Sequence, residues 1–284
     1  MKWYSKYMDI YEKELDSISP SVFNEISGRM AEIQSSDPLV TVAVIAHNEE
    51  TRLAACLWSL ADQECKYPYE IVGVDNNSTD RTALVYEKCG IHSHSEKRQS
   101  PGWARAKGLE NAKGRFTLTV DSDTMYPPHY VRIMTEQLLK DGIVGVCSIW
   151  SYYPDKDHSR FSLFSYELAR DIYLWMQHFN RPELAARGAV FGHDTELARK
   201  VGIRTDLLRG EDGSLALGLK KYGKIKFIHK RKARPVTGYR SIDGDGSIFS
   251  RFIKVARMRM KSLLSMFTKT DTYKDSRENL TGRE

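Results

Sequence analysis

The stretch Leu39-Val40-Thr41-Val42-Ala43-Val44-Ile45-Ala46-His47-Asn48-Glu49-Glu50 decides the fold. Eight residues rich in β-branched and small apolar side chains suit a strand buried on both faces. The run stops abruptly in a histidine, an amide and two acids. A strand of that kind, ending in ligand-type polar groups, belongs to an open α/β sheet, where ligands sit beyond the carboxyl ends of the strands.

Working outward, the same alternation repeats. Helical spacing runs over 50–61, a second strand over 69–74, a helix from Thr79 to about Lys88, and a short strand near 91–93. A helix over 103–112, a strand over 115–120 and a helix over 130–140 follow. This spacing predicts a doubly wound, mostly parallel sheet flanked by helices. From Ile143 the regularity fades. Strands are expected over 143–150, 188–192 and 226–229, and helices over 159–178, 195–201 and 211–222. Residues 1–37 read as an N-terminal helical extension broken near Pro20, and 38–235 as the main domain. Residues 236–284 read as a basic amphipathic helix, over 248–267, and a polar tail.

Composition narrows the class. The chain of 284 residues is 41% hydrophobic and 28% charged, so it can bury a substantial core and is not a disordered polymer. Its longest apolar run, eight residues, cannot span a bilayer, and the N-terminus lacks an apolar signal core. A cytoplasmic protein is expected, or one peripheral to the inner face of a membrane. The four cysteines, at 56, 65, 89 and 147, match no zinc spacing. The net charge of +6 is uneven. Residues 220–261 carry fourteen Lys/Arg against two acids, and the rest 29 against 35. A basic C-terminal third on an acidic body points to an anionic partner.

Three strand ends concentrate acids and amides: 47–50, 75–80 and 121–123. Asp121-Ser122-Asp123 ends an apolar strand with two acids on one side of an extended chain. Two hard oxygen ligands suit Mg²⁺ or Mn²⁺, with phosphate and water completing the shell. The plain alternative is that Asp121 caps the next helix and Asp123 is solvated. Asp75 ends its strand where a base or ribose would lie, while Ser78 or Thr79 suits the N-cap of the following helix.

The ordered set VTVAVIAHNEE, EIVGVDNNSTDRT, GWARAKGLENAKGRFTLTVDSDT and RGEDGSLALGLKKYG resembles the inverting family 2 glycosyltransferases of the GT-A fold, over about Pro38 to His229. The resemblance implies a nucleotide-diphosphate sugar donor and a divalent metal, with UDP favoured. It implies that Ala46, Asn48 and Glu49 close over the nucleoside, with His47 in place of the usual aromatic. Asp75 would read the base, and Arg105 would lie near base and phosphates, with Ala106 where the family has Asn. Asp121 would approach ribose and metal, Asp123 would ligate the metal and Asp212 would be the general base. Glu211 reads equally as plain helix-start charge. His229 matches a third metal ligand used by some members of the fold, against a structural or exposed histidine. The segment 188–194 matches the acceptor side, with His193 and Asp194 as further candidates.

The motif of processive synthases is missing, which favours transfer of one sugar, to a glycan or lipid-linked acceptor. Lys230, Arg231, Lys232 and Arg234 read either as a diphosphate clamp or as a solvated loop. The 248–267 stretch puts Phe249, Phe252, Ile253, Ala256, Met260, Leu263, Leu264 and Phe267 on one helical face and contains no acid. It reads as a contact with an anionic membrane or as a helix packed on the domain. Two other classes remain at this point. A nucleotidyltransferase shares sheet, nucleotide and metal, but would be expected to carry a glycine-rich loop after the first strand. A nucleotide- or nucleic-acid-binding protein would use the basic tail, but the body shows no nucleic-acid motif.

Overall fold

The computed structural model describes residues 2–238, apart from 157, 208 and 209. The helix expected over 248–267 and the tail lie outside the described residues.

The chain opens with α1 (Ser5–Met8), a 3₁₀ turn at Leu15–Ser17 and α2 (Pro20–Ile33). Pro20 takes the first helical position, where its missing N–H costs nothing, and Ser19 caps the turn by accepting from the Ser21 amide. Tyr7, Tyr11, Phe23, Ile26 and Met30 are buried in the same core as the first sheet strands. The N-terminal segment therefore shares one core with the sheet.

The regular part follows as β1 (Val40–Ala46), α3 (Leu53–Ala61), β2 (Tyr69–Asp75), α4 (Thr82–Lys88), β3 (Ser93–Ser95), α5 (Pro101–Asn111) and β4 (Phe116–Asp121). After the two-residue β5 (Thr124–Met125) come α6 (Tyr130–Leu138), β6 (Ile143–Ser148), β7 (Ser151–Tyr152) and α7 (Arg160–Asn180). The described chain finishes with β8 (Phe191–Asp194), α8 (Thr195–Val201), α9 (Glu211–Leu219), β9 (Lys224–Ile228) and β10 (Val236–Thr237).

Seven strands form the main sheet in the order β3-β2-β1-β4-β8-β6-β9. Every neighbour is parallel except β8, which runs antiparallel to both β4 and β6. The expected mixed, mostly parallel sheet flanked by helices is the observed one. A small sheet, β5-β10-β7, sits beside it. The register positions the site: Ala46 lies opposite Asp75, and Ile45 opposite Asp121. Three polar strand ends therefore open on one edge. Beneath them α3 is buried along its whole length, with Leu53, Leu57 and Leu60 fully enclosed. Truncating one such leucine to alanine costs about 2–5 kcal/mol.

Several boundaries move for local reasons. The first helix starts at Leu53 rather than Glu50, because Glu50 accepts from the Arg81 amide and side chain. The next starts at Thr82, and Asp80 accepts from its amide. Ser78 and Thr79, read as caps, instead bind Asn48. Residues 188–190 form a 3₁₀ turn, so the strand expected over 188–192 begins at Phe191.

Candidate active site

Arg105, on the buried side of α5, organises the site. Its Nη2 donates to Asp121 Oδ1 at 3.0 Å, and its Nε donates to Glu211 Oε1 at 3.0 Å and lies 3.1 Å from Asp212 Oδ1. One guanidinium thus ties the end of β4 to the start of α9, across about ninety residues of chain. Its Nη1 is buried and has no hydrogen-bond partner among the described residues. A buried donor left open costs free energy until an acceptor arrives, and a phosphate oxygen meets that need. Gly188 leaves room for this arrangement, since a Cβ there would fall 1.6 Å from Arg105 Nη2. That close approach is what demands glycine at 188.

A cleft of about 430 Å³ opens at the strand ends, lined by Ala46, His47, Glu49, Asn76, Gln99, Arg105, Asp121 and Asp123 among others. Its loops are tied together by polar contacts. Asn48, in the left-handed region at φ 54°, donates its amide N–H to Ser78 Oγ and accepts from the Thr79 amide at 2.8 Å. Asn tolerates that conformation better than most residues. His47 Nδ1 lies 2.8 Å from the Asn76 carbonyl, and its Nε2 lies 2.7 Å from Gln99 Nε2. Tyr126 accepts from the Asp121 amide and donates to the Ala189 carbonyl, both at 3.0 Å, bracing the acidic turn against the 3₁₀ segment.

The acids shift one another. Burial pushes the Glu49 carboxyl up to about 8, against the pull of Arg52 and with help from Asp123 and Asp121. Burial, then the charge of Asp121, raises Asp123. Burial likewise pushes Asp212 up to about 7. Arg105 opposes that rise, Glu211 and Asp121 add to it, and Arg187 opposes it.

The structure brings Ala46, Glu49, Arg105, Asp121 and Asp123 to the one cleft, with Asp212 joined to it through Arg105. Asn48 serves as the loop tie. Asp75 is half-buried at the strand end and accepts from the Ser78 amide, beside the cleft rather than lining it. Neither acid of the Asp121–Asp123 turn caps α6. His229 is not brought into this group. It is exposed, packs edge-on against Phe227 with ring centroids 4.6 Å apart, and feels Asp171 and Arg234 instead. Asp194 caps α8 through the Leu197 amide, and His193 is fully buried, its ionisation pushed down to about 4 by desolvation. Arg231, Lys232 and Arg234 line a different pocket, so the structure does not set them around the cleft as a clamp.

Gln99 and Arg187 escaped the reading of the sequence, while Asn76 fell within the 75–80 strand end but had no role assigned. Gln99 precedes a helix and carries no motif. Arg187 lies next to Gly188, and that pairing was the available signal.

The family resemblance implies a divalent metal. Among the described residues no group of three or more His, Cys, Asp or Glu is arranged to hold an ion. Two carboxylates, Asp121 and Asp123, stand at one turn; the charge of Asp121 adds to the reluctance of Asp123 to ionise, and both add to that of Glu49. That set fits an ion taking most of its oxygen ligands from phosphate and water. A dication would relieve their mutual repulsion.

Comparisons with known proteins bear on the family and the fold. The sequence profile described as Glycosyl transferase family 2 matches residues 41–195, more than half of the chain. Glycosyltransferase SunS of the Bacillus subtilis prophage SPbeta is 30% identical over 121 residues, which cover 41% of this chain and 26% of that protein. The Staphylococcus aureus poly(ribitol-phosphate) beta-N-acetylglucosaminyltransferase TarS is 37% identical over 90 residues, 29% of this chain and 16% of that one. The chain thus matches only about a quarter or less of the length of either relative. The structure of S. aureus TarS 1–349 in complex with UDP superposes with a TM-score of 0.57 at 17% identity, over 82% of this chain and 76% of that one. Glucosyl-3-phosphoglycerate synthase of Mycobacterium tuberculosis, bound to Mn²⁺, UDP-glucose and phosphoglyceric acid, superposes at 0.51 with 20% identity, over 86% and 83%. The fold is that of these GT-A enzymes.

Proposed function

The chain belongs to glycosyl transferase family 2, and on that premise we propose that it transfers one sugar from a nucleotide-diphosphate donor, with a UDP-sugar favoured. The acceptor is a hydroxyl on a glycan or lipid-linked glycan. The observation that carries this reading is Arg105, which joins the acidic turn of the donor cleft to Asp212 and keeps one buried N–H open for a phosphate oxygen.

In this reading Ala46, Asn48, Glu49 and Asp75 surround the nucleoside, and Arg105 draws the diphosphate to the head of α9. Asp212 takes the proton from the acceptor hydroxyl. The oxygen attacks the anomeric carbon from the face opposite the diphosphate. The bond from that carbon to the diphosphate oxygen breaks, its electron pair leaves with the nucleotide, and the carbon is inverted. Asp123 and Asp121 would hold Mn²⁺ or Mg²⁺, which when bound supplies positive charge to the departing diphosphate. A base whose carboxyl is held near neutrality suits proton abstraction at physiological pH. The UDP complex of TarS and the Mn²⁺ and UDP-glucose complex of glucosyl-3-phosphoglycerate synthase support the donor and metal assignments.

Nucleotide release from a panel of UDP-, GDP- and dTDP-sugars, with and without Mn²⁺, tests the proposal. Metal-dependent release of one nucleoside diphosphate, with a mass gain on the acceptor, is expected. No release from any donor overturns it. The sequence of 248–267 adds a contact with an anionic membrane at the cytoplasmic face, to be checked by vesicle flotation of an Arg251→Gln, Lys254→Gln, Arg257→Gln variant. Flotation equal to that of the unaltered chain removes this part.

A further inference from the structure

Helix α7 buries Leu163 and Leu174 on its inner face but sets Glu167, Arg170 and Gln177 beside them, all five at most 9% exposed. The bonds of the polar side chains are made within the protein. Glu167 accepts from Ser151 Oγ and the Tyr152 amide, and Arg170 donates to the Trp150 carbonyl and to Asp171. Arg234 reaches across to Glu167 and Asp171. The outer face carries Phe161, Phe164, Leu168, Ile172, Trp175 and Met176, which are 42–80% exposed. A helix on a water-facing surface shows the opposite arrangement. Six large apolar side chains at spacings of three and four residues make a continuous stripe about 22 Å long.

The rim of that stripe is basic. Beside the first turn of α7 lies a pocket of about 690 Å³, lined by Lys2, Arg160, Arg231 and Lys232 together with Tyr4, Tyr152 and Phe164. Arg160, Arg231 and Lys232 make no ion pair among the described residues. We propose that this face of α7, with its basic rim, docks on an anionic lipid bilayer, the stripe seated at the acyl boundary and the four cations among phosphate headgroups. An apolar face flanked by cations and bearing a half-exposed tryptophan has the chemistry of an interfacial helix. Each cation near an anionic surface adds attraction that a neutral partner lacks.

Charge argues for a bilayer over the other two occupants. A second copy would bring the same cations to the interface, and the chain's own 248–267 stretch contains no acid to meet them. No helix among the described residues is long and apolar enough to cross a membrane, so α7 would lie on the surface. The inference does not rest on sugar transfer or on residues 248–267, because its test alters α7 alone.

The full chain is floated with vesicles of phosphatidylcholine alone or mixed with phosphatidylglycerol. Binding to the mixed vesicles, a blue shift of the emission lost in Trp175→Phe, and quenching of that emission by brominated lipid are expected. The double substitution Leu168→Glu, Ile172→Glu should lower the partition coefficient at least about tenfold. UDP affinity, measured alongside, should stay within about twofold and so reports that the variant is folded. Flotation of the variant equal to the unaltered chain overturns the inference, as does unquenched Trp175 in bound protein. A dimer broken by the same substitutions, with no vesicle binding by the parent, assigns the face to a second copy and also overturns it.

Discussion

Residues 121–129 wall two clefts of opposite character. On one side, at the strand ends, Asp121, Asp123 and Glu49 face a space with a single buried guanidinium. On the other, Pro127, Pro128 and His129 border a larger pocket where Lys2, Arg160, Arg231, Lys232 and Arg234 meet one acid, Glu167. The first gathers three carboxylates, of which burial makes Glu49 and Asp123 reluctant to ionise, so it is prepared for positive charge arriving with a ligand. The second gathers cations around aromatic rings, so it is prepared for anions at an apolar boundary. The modest net charge of the chain describes neither.

If chemistry belongs to the acidic side alone, damage there should be large and specific. Asp212→Asn should lower kcat by about 10³- to 10⁴-fold with UDP affinity nearly unchanged; a smaller effect than tenfold would remove the base assignment. The same carboxyl predicts the pH profile. A base works deprotonated, and burial raises this one to about 7. So kcat/KM should fall about tenfold per pH unit below 7 and level off above it, and that limb should vanish in the variant. Asp123→Ala should cost about 10²- to 10³-fold and abolish the response to Mn²⁺ titration. Arg105→Lys keeps the charge but loses the fork that spans Asp121, Glu211 and Asp212; a loss of about 10- to 100-fold is expected, shared between donor KM and kcat. The smallest effect sharpens the contrast most. Arg231→Gln with Lys232→Gln should weaken vesicle binding about tenfold, more at low salt than at high, while UDP affinity holds. A fall in UDP affinity matching that of Asp123→Ala would make the two clefts one site.

Much of the acidic side was readable from the chain. A β-branched run that stops in His47-Asn48-Glu49 declares both a buried strand and its functional end, and Phe116–Asp121 does the same. Their meeting follows from topology, since strand ends of a parallel sheet share one edge. The joining of Asp121 to Asp212 was not readable, because it depends on a side chain from a third element, Arg105, and no local pattern couples 105 to 212. His229 shows the limit of that rule: it is a ligand-type residue after a strand, but it follows β9 at the far edge of the sheet, where it meets Phe227 and the field of Asp171. Helix α7 was legible as a helix and illegible in its orientation. Periodicity marks its apolar residues, but the face that turns inward is mixed, Leu163 and Leu174 beside Glu167 and Arg170, and the polar pair is held there by Arg234 and the backbone at 150–152.

The backbone carbonyl of Asp123 accepts from Tyr11 Oη at 2.9 Å and from Thr237 Oγ1 at 3.4 Å. These donors lie 112 residues before it and 114 after it. One backbone oxygen thus gathers the N-terminal segment and β10 onto the acidic turn, so the shape of that turn depends on both. The acidic turn is in this sense a clasp, closed by donors from both halves of the described chain.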